Sequence, residues 1–260
     1  MHLPVITLLS DFGLRDEYVA VMKGVILEIC PAARLIDISH LIAAQDIREA
    51  AFVLFAACGY FPRGTIHLAV VDPGVGTDRK AVAVRAGSSF FVGPDNGLFS
   101  LVLKKESVWE ARLLENRRLR RTPVGSTFHG RDIFAPAAAH LAAGVEFEAL
   151  GASCGLISAP WCEPVAGKDL VTGEVIHIDR FGNGVTNVEI GLLEKLAPAG
   201  KWTVWTGKAA VSIRKTYGMA LAGEALALAG STGFIEIAVN RGSAAQALEL
   251  RPGTEVIFRL

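Results

Sequence analysis

Asp11, Asp72, Arg79 and His129 are the side chains whose types and surroundings could do chemistry in this chain. Asp72 and Arg79 flank the turn Pro73-Gly74-Val75-Gly76, which follows the apolar run 65–71. A core strand needs no such ending. A carboxylate can accept a proton or orient a neighbour, a guanidinium stabilises negative charge as it develops, and an imidazole can do proton work near neutral pH. Together they make His129 a candidate base with an acid and an arginine beside it.

Those residues need a scaffold that brings separate loops to one place. Segment 65–71 reads as a buried β-branched strand, and Pro73-Gly74 with Gly76 predicts a loop whose backbone can approach a ligand closely. Segment 5–9 reads as a first strand, broken by Ser10-Asp11-Phe12-Gly13. A helix is expected over 16–29, with Tyr18, Val21, Met22 and Val25 on its inner face and Asp16 as its cap. Asp11 lies too far ahead of that helix to cap it easily. A second strand is expected over 34–38 and a second helix from Gln45-Asp46, carrying Ala51, Leu54 and Phe55 inward. His40, in the loop between them, reads as a solvated or turn-bonding residue.

Segments 81–85 and 90–93 read as a hairpin around Gly87-Ser88-Ser89. Pro94-Asp95-Asn96-Gly97 has the composition of a turn, which accounts for Asn96 without a ligand. The five arginines in 112–121 read as a solvated edge. His129 precedes an alanine-rich helix running to about 143, so its ring is not committed to a core face. The alternation of strands and helices predicts an α/β class, with a three-layer amino-terminal domain, 1–156, around a mostly parallel sheet.

A proline- and glycine-containing stretch, 157–168, is expected to be a linker. Beyond it, 169–260 changes texture to short β runs at 170–178, 184–190, 202–205, 209–213, 224–229, 233–239 and 255–260, which predicts a small β-barrel or sandwich without a long helix. Asp179 to Gly184 and Gly230 to Phe234 read as hairpin turns, the Asn183-Gly184 pair above all.

Composition bounds the partner. The chain has 260 residues, with 26 Lys and Arg against 26 Asp and Glu, so it carries no electrostatic footprint for nucleic acid or an anionic membrane. Its apolar runs fall short of the roughly 18 residues a membrane span needs. The start has no basic region before its apolar segment, so a first strand and a cytoplasmic location are expected. Cys30, Cys58, Cys154 and Cys162 lack metal-ligand spacing, and Cys30 and Cys58 sit in apolar segments typical of buried reduced thiols. Dinucleotide, phosphate-loop and nucleophile-elbow signatures are missing.

Six short motifs occur in order: Ser10-Asp11-Phe12-Gly13; Asp72-Pro73-Gly74-Val75-Gly76 with Arg79; Pro94-Asp95-Asn96-Gly97; Phe128-His129-Gly130-Arg131-Asp132; Asp179-Arg180-Phe181-Gly182-Asn183; and Asn240-Arg241-Gly242-Ser243-Ala244. Taken together they resemble the S-adenosyl-L-methionine hydroxide adenosyltransferase family, related to fluorinating and chlorinating enzymes, over nearly the whole chain. The resemblance implies hydrolysis of S-adenosyl-L-methionine to adenosine and L-methionine by water or hydroxide attacking the ribose C5′. It implies that the carboxyl-terminal domain is a β-barrel, that no cofactor or metal is used, and that a homotrimer forms with its sites between one subunit's first domain and a neighbour's second.

By matching position, the resemblance implies that Asp72, Arg79 and His129 activate water, with His129 as proton acceptor and Asp72 orienting the ring or the water. Asp11 would hold the ribose hydroxyls, with Asn96 a further substrate contact. Asp179 and Ser231 would hold the methionine end, Asn183 and the backbone near Arg241 the adenine, and Phe181 and Tyr217 would form apolar walls. Halogenating relatives place tyrosine and serine where this chain has His129 and Gly130 and lack the Asp72 equivalent, which argues against halide chemistry. Arg241 departs from the small residue more usual there. Three alternatives stay open on the sequence: a metal-dependent hydrolase built on Asp11, Asp16, Asp72 and His129, a non-catalytic adenosine- or S-adenosylmethionine-binding protein, and a purely structural α/β protein.

Overall fold

A computed structural model describes residues 3–106, 108–198 and 200–260. The chain divides into two compact units, the first ending at Ala159 and the second beginning at Pro160. Among the described residues no helix is long and apolar enough to cross a membrane.

The first unit holds β1 (Val5–Ser10), α1 (Tyr18–Ile29), β2 (Arg34–Ser39), α2 (Ile47–Cys58), β3 (Ile66–Val70), β4 (Ala81–Ala86), β5 (Ser89–Pro94), α3 (Ser100–Lys105), β6 (Trp109–Leu113) and α4 (Ala135–Ala142). The sheet order is β2-β1-β3-β5-β4-β6. β2, β1, β3 and β5 run parallel, and β4 runs antiparallel to both β5 and β6. Successive side chains of a strand point to opposite faces, so a strand buried on both sides is apolar throughout. In β3, Ile66, Leu68 and Val70 pack with Met22, Ile26 and Ala138 of α1 and α4, whereas Ala69 packs on the other face with Leu54 of α2 and Val102 of α3. That gives three layers.

α1 turns a different face inward from the one its sequence suggests. Val19, Met22, Val25 and Ile26 are buried, Tyr18 is exposed and Val21 only half-buried. The helix is apolar nearly all round, so its pattern does not fix its phase. Glu17, not Asp16, occupies the N-cap position, and no side chain caps it. In α2, by contrast, Asp46 caps the helix, its Oδ1 accepting from the Glu49 N–H at 2.8 Å, and Phe52 is buried while Phe55 is half-buried.

The second unit comprises β7 (Val165–Ala166), β8 (Leu170–Ile178), β9 (Gly184–Glu189), α5 (Ile190–Leu196), β10 (Thr203–Trp205), β11 (Ala210–Ser212), β12 (Ala225–Ala229), β13 (Phe234–Val239), α6 (Ala244–Ala247) and β14 (Glu255–Arg259). Its antiparallel strands follow the order β11-β10-β14-β8-β9-β13-β12, with β7 added to β8. A bridge between Ile213 and Ala227, with the Arg214 N–H on the Ala227 carbonyl at 2.8 Å, ties the two ends together. The sheet is thus a nearly closed barrel around Val175, Ile237, Val256 and Phe258.

None of the four cysteines forms a disulfide; Cys30 is buried and Cys58 half-buried, its thiol pushed up by burial.

Candidate active site

In the first unit the chain leaves β1 for β2 on one side and reaches β3 on the other, so strand order reverses at the β1/β3 pair. Ligands of open α/β sheets bind at the carboxyl ends of strands flanking such a point. Asp11 directly follows β1, and Asp72 stands just beyond β3. Both line a cavity of about 350 Å³ together with Tyr18, Gln45, Phe128 and His129.

Arg79 joins Asp72 to His129. Its Nε donates to Asp72 Oδ1 at 2.8 Å and its Nη2 to Asp72 Oδ2 at 2.5 Å, a two-pronged contact. The same Nη2 lies 2.8 Å from His129 Nδ1. The Arg79 and Asp72 side chains are only 10% and 6% exposed, and Phe134 stacks beneath the guanidinium with its centroid 5.1 Å away. Gly74 makes the fold-back possible, because a Cβ there would come within 3.2 Å of Arg79 Cγ.

A guanidinium only donates, so His129 Nδ1 must accept, and a neutral ring then carries its proton on Nε2. Burial, followed by the Arg79 charge, holds the imidazole below its ordinary value, against the pull of Asp72 and Asp132. His129 is therefore a neutral N–H donor at neutral pH. This arrangement differs from the expectation that the ring accepts a proton, and of the two roles expected of Asp72, orienting the ring or the water, it leaves the water. The guanidinium stands in the orienting place and occupies the ring's lone pair.

His129 begins a π-turn, Gly130–Phe134, in which the Ala135 N–H reaches back to the Gly130 carbonyl before α4 continues. Such wide turns recur at functional sites. Buried Asp132 secures this region, accepting from the Gly125 N–H at 2.8 Å and from Arg131. At Gly130 a Cβ would meet Met22 Sδ and the Phe128 ring at 3.1 Å, so glycine lets this turn close on α1.

Asp11 turns one oxygen, Oδ2, to the Gln45 N–H at 2.8 Å. His40 is not solvated. It is 3% exposed, with Nδ1 2.7 Å from Ser10 Oγ and Nε2 3.1 Å from Asp37 Oδ1. Asn96 lies outside both cavities' linings; its amide donates to the Val71 carbonyl at 2.9 Å, bracing the chain just before Asp72. Asp16 does not line the cavity either. Among the described residues no three His, Cys, Asp or Glu side chains converge to hold a metal ion.

The second unit has its own cavity, about 790 Å³, at the rim of the barrel. Asp179, Phe181, Asn183, Tyr217, Ser231 and Arg241 all line it. Asp179 organises the β8–β9 turn: Oδ1 accepts from the Phe181 and Asn183 N–H groups at 2.9 and 2.8 Å, and Oδ2 from Asn183 Nδ2 at 2.9 Å. The turn residues are thus those before Asn183, with Gly182 at φ +84°, and Gly184 already belongs to β9. Phe181, 77% exposed, stands at the mouth.

Glu236 is a lining residue that the sequence reading missed. The Tyr217 hydroxyl donates to its Oε2 at 3.1 Å. Burial, and the Asp179 charge against that hydrogen bond, push the Glu236 carboxyl up, while burial and Glu236 push the Tyr217 phenol up to about 12. A lone carboxylate inside the apolar run Phe234–Val239 was the available signal. Arg241 occupies the third position of a turn closed by the Gly242 N–H on the Val239 carbonyl at 3.0 Å, at φ +58°, where glycine or asparagine is usual.

Comparison with known proteins follows the same division. A family model described as the SAM hydroxide adenosyltransferase N-terminal domain matches residues 6–151, and its C-terminal counterpart matches 173–257. The chain is 46% identical to an (R)-S-adenosyl-L-methionine hydrolase of Thermus thermophilus, over 95% of this chain and 96% of that one. It is 31% identical to a fluorinase of Nocardia brasiliensis, over 97% and 96%. A solved structure of an uncharacterized conserved protein from Thermotoga maritima superposes with a TM-score of 0.89 at 40% identity, covering 98% of this chain and all of that one.

Proposed function

This chain belongs to the SAM hydroxide adenosyltransferase family, and from that premise we propose that it hydrolyses S-adenosyl-L-methionine to adenosine and L-methionine. The observation that carries the reading is the Asp72–Arg79–His129 chain of hydrogen bonds at the β1/β3 cavity. The hydrolases among its relatives are named for the (R) form, and that configuration at sulfur is the one we assign to the substrate.

Sulfur leaves as a neutral thioether, so the leaving group needs no acid and the demand falls on the nucleophile. Asp72 and His129 line the cavity, with Arg79 clamping both. The His129 Nε2–H holds the attacking oxygen, the Asp72 carboxylate takes its proton, and the guanidinium supplies the fixed positive charge that makes hydroxide accessible. The oxygen–C5′ bond forms as C5′–S breaks, and the electron pair of that bond stays on sulfur. Attack in line from a held oxygen removes several kcal/mol of orientation cost. No step passes through a cofactor.

Asp11 holds the ribose hydroxyls with its second oxygen. Asp179 and Ser231 take the methionine end, and Asn183 with the backbone at Arg241 the adenine, between Phe181 and Tyr217. These contacts lie on two units, and both cavities are lined in part by exposed aromatic residues, Tyr18 in one and Phe181 and Tyr217 in the other. We assign the complete site to neighbouring copies in a homotrimer, each giving its first unit to one site and its second to the next. The four cysteines, none of them in a disulfide, support a reducing, cytoplasmic setting.

The test is direct. Purified protein should release adenosine and methionine from the (R) sulfonium epimer and not from the (S), at a rate indifferent to chelator and to added chloride. Loss of activity with chelator would favour the metal-dependent alternative, and unchanged substrate after long incubation would favour a binding protein.

A further inference from the structure

Ser10, His40 and Asp37 form a connected line of hydrogen bonds that ends beside Asp11. Asp37 Oδ2 accepts from Lys23 Nζ at 2.6 Å near the surface, and its Oδ1 lies 3.1 Å from His40 Nε2. His40 Nδ1 lies 2.7 Å from Ser10 Oγ, which also accepts from the Phe12 N–H at 3.3 Å. A carboxylate accepts, so Nε2 of the neutral ring donates to Asp37, Nδ1 accepts, and the Ser10 hydroxyl donates into it. Ser10 is fully buried and His40 3% exposed, so neither has water as an alternative partner.

The backbone repeats the connection. The Gly13 N–H donates to the His40 carbonyl at 2.8 Å, and the Gln45 N–H to Asp11 Oδ2 at 2.8 Å. Loop 10–13 is therefore held at Ser10, Asp11 and Gly13 by residues between His40 and Gln45. Gln45 itself stands at φ +66°, an unfavourable conformation for a residue with a side chain, and lines the cavity. The two bonds that meet at Ser10 tie the residue before Asp11 to His40 and to the backbone of the residue after it.

We propose that His40 is a positioning residue: through Ser10 it sets the loop that aims Asp11 at the ribose diol of an adenosyl ligand, while taking no part in the bond-breaking step. This rests on the reading of Asp11 as the ribose-binding carboxylate. His40 acts through its Nδ1, so the bond to Ser10 matters more than the bond to Asp37.

Two replacements separate those bonds, because asparagine places a polar atom near Nδ1 of the ring and glutamine near Nε2. His40→Asn keeps an acceptor for Ser10, and His40→Gln keeps a donor for Asp37. Adenosine affinity measured by titration calorimetry is the readout, with turnover recorded alongside. His40→Gln and Ser10→Ala should each weaken adenosine binding about tenfold, the pair together no more than either alone, while His40→Asn stays within about threefold of the parent. In turnover the same variants should raise KM and leave kcat within about threefold. Equal loss in His40→Asn and His40→Gln, additive losses in the pair, or unchanged adenosine affinity in His40→Gln would each overturn the proposal. Adenosine binding without hydrolysis by the parent would overturn the proposed function and leave this inference standing; a parent that binds no adenosine would overturn the inference.

Discussion

The two cavities lie in the same chain but are built by opposite means. In the first unit, charged groups at the ends of parallel strands are locked to one another: Arg79 spends its donors on Asp72 and His129, with little exposure on either side of the ion pair. In the second, the groups sit on hairpin turns at a barrel rim around a larger space, and one of the acids, Glu236, is pushed toward its neutral form. A fixed constellation suits a step that needs one oxygen in one place. Turns held by their own side chains suit recognition of a long, flexible substrate. On the proposed reading, the chemistry and the ribose contact of Asp11 fall to the first unit, and the methionine and adenine contacts to the second.

Arg79→Ala should cut deepest into that division. Removing the guanidinium unties Asp72 from His129 and leaves a carboxylate desolvated without its partner, so kcat should fall by about two decades or more, with KM within a few fold. Steady-state kinetics with the substrate decides it, and a change in KM alone would reverse the assignment.

Asp179→Asn tests the other side. The amide oxygen can still accept from the Phe181 and Asn183 N–H groups, which keeps the backbone of the turn, while the bond from Asn183 Nδ2 and the charge proposed to hold the methionine end are lost. KM should rise about tenfold with kcat nearly unchanged. A fall in kcat at constant KM would break the comparison.

Stability sharpens it further. His67, buried in β3 with Nδ1 on Thr7 and stacked on Phe91, is pushed down to about 4 by burial. The unfolded ring titrates near the ordinary imidazole value of 6.5, so below that pH the unfolded chain binds the extra proton. The stability this ring contributes is full above pH 6.5 and is lost as pH falls toward 4, about 3 kcal/mol in all. Urea unfolding at pH 7.5 and 4.5 should show that loss in the parent and a flatter response in His67→Phe, with the first unit more acid-sensitive than the barrel.

The smallest effect belongs to the turn at Arg241. Arg241→Gly relieves the left-handed backbone and should raise stability by up to about 1 kcal/mol in thermal unfolding. A loss instead would show that the guanidinium makes a contact worth more than the strain.

Much of this division could be read from the sequence, because turn chemistry and strand ends are local. The barrel strands 170–178 and 225–229 stand close to their expected limits, and the strand-end carboxylates Asp11 and Asp72 face one cavity. What escaped depends on distant partners. His40 is buried only because Ser10, thirty positions away in sequence, meets it. β6, where Glu110 and Arg112 alternate with apolar residues at the sheet edge, was absorbed into a run of arginines. The tautomer of His129 follows from Arg79 folding back over Gly74, which no spacing rule conveys.

Hydrolysis in heavy-oxygen water, with the products weighed by mass spectrometry, tests the central claim most directly. The account predicts one solvent oxygen in the 5′-hydroxyl of adenosine and none in methionine. Labelled oxygen on the amino-acid product, or unlabelled adenosine, would contradict it.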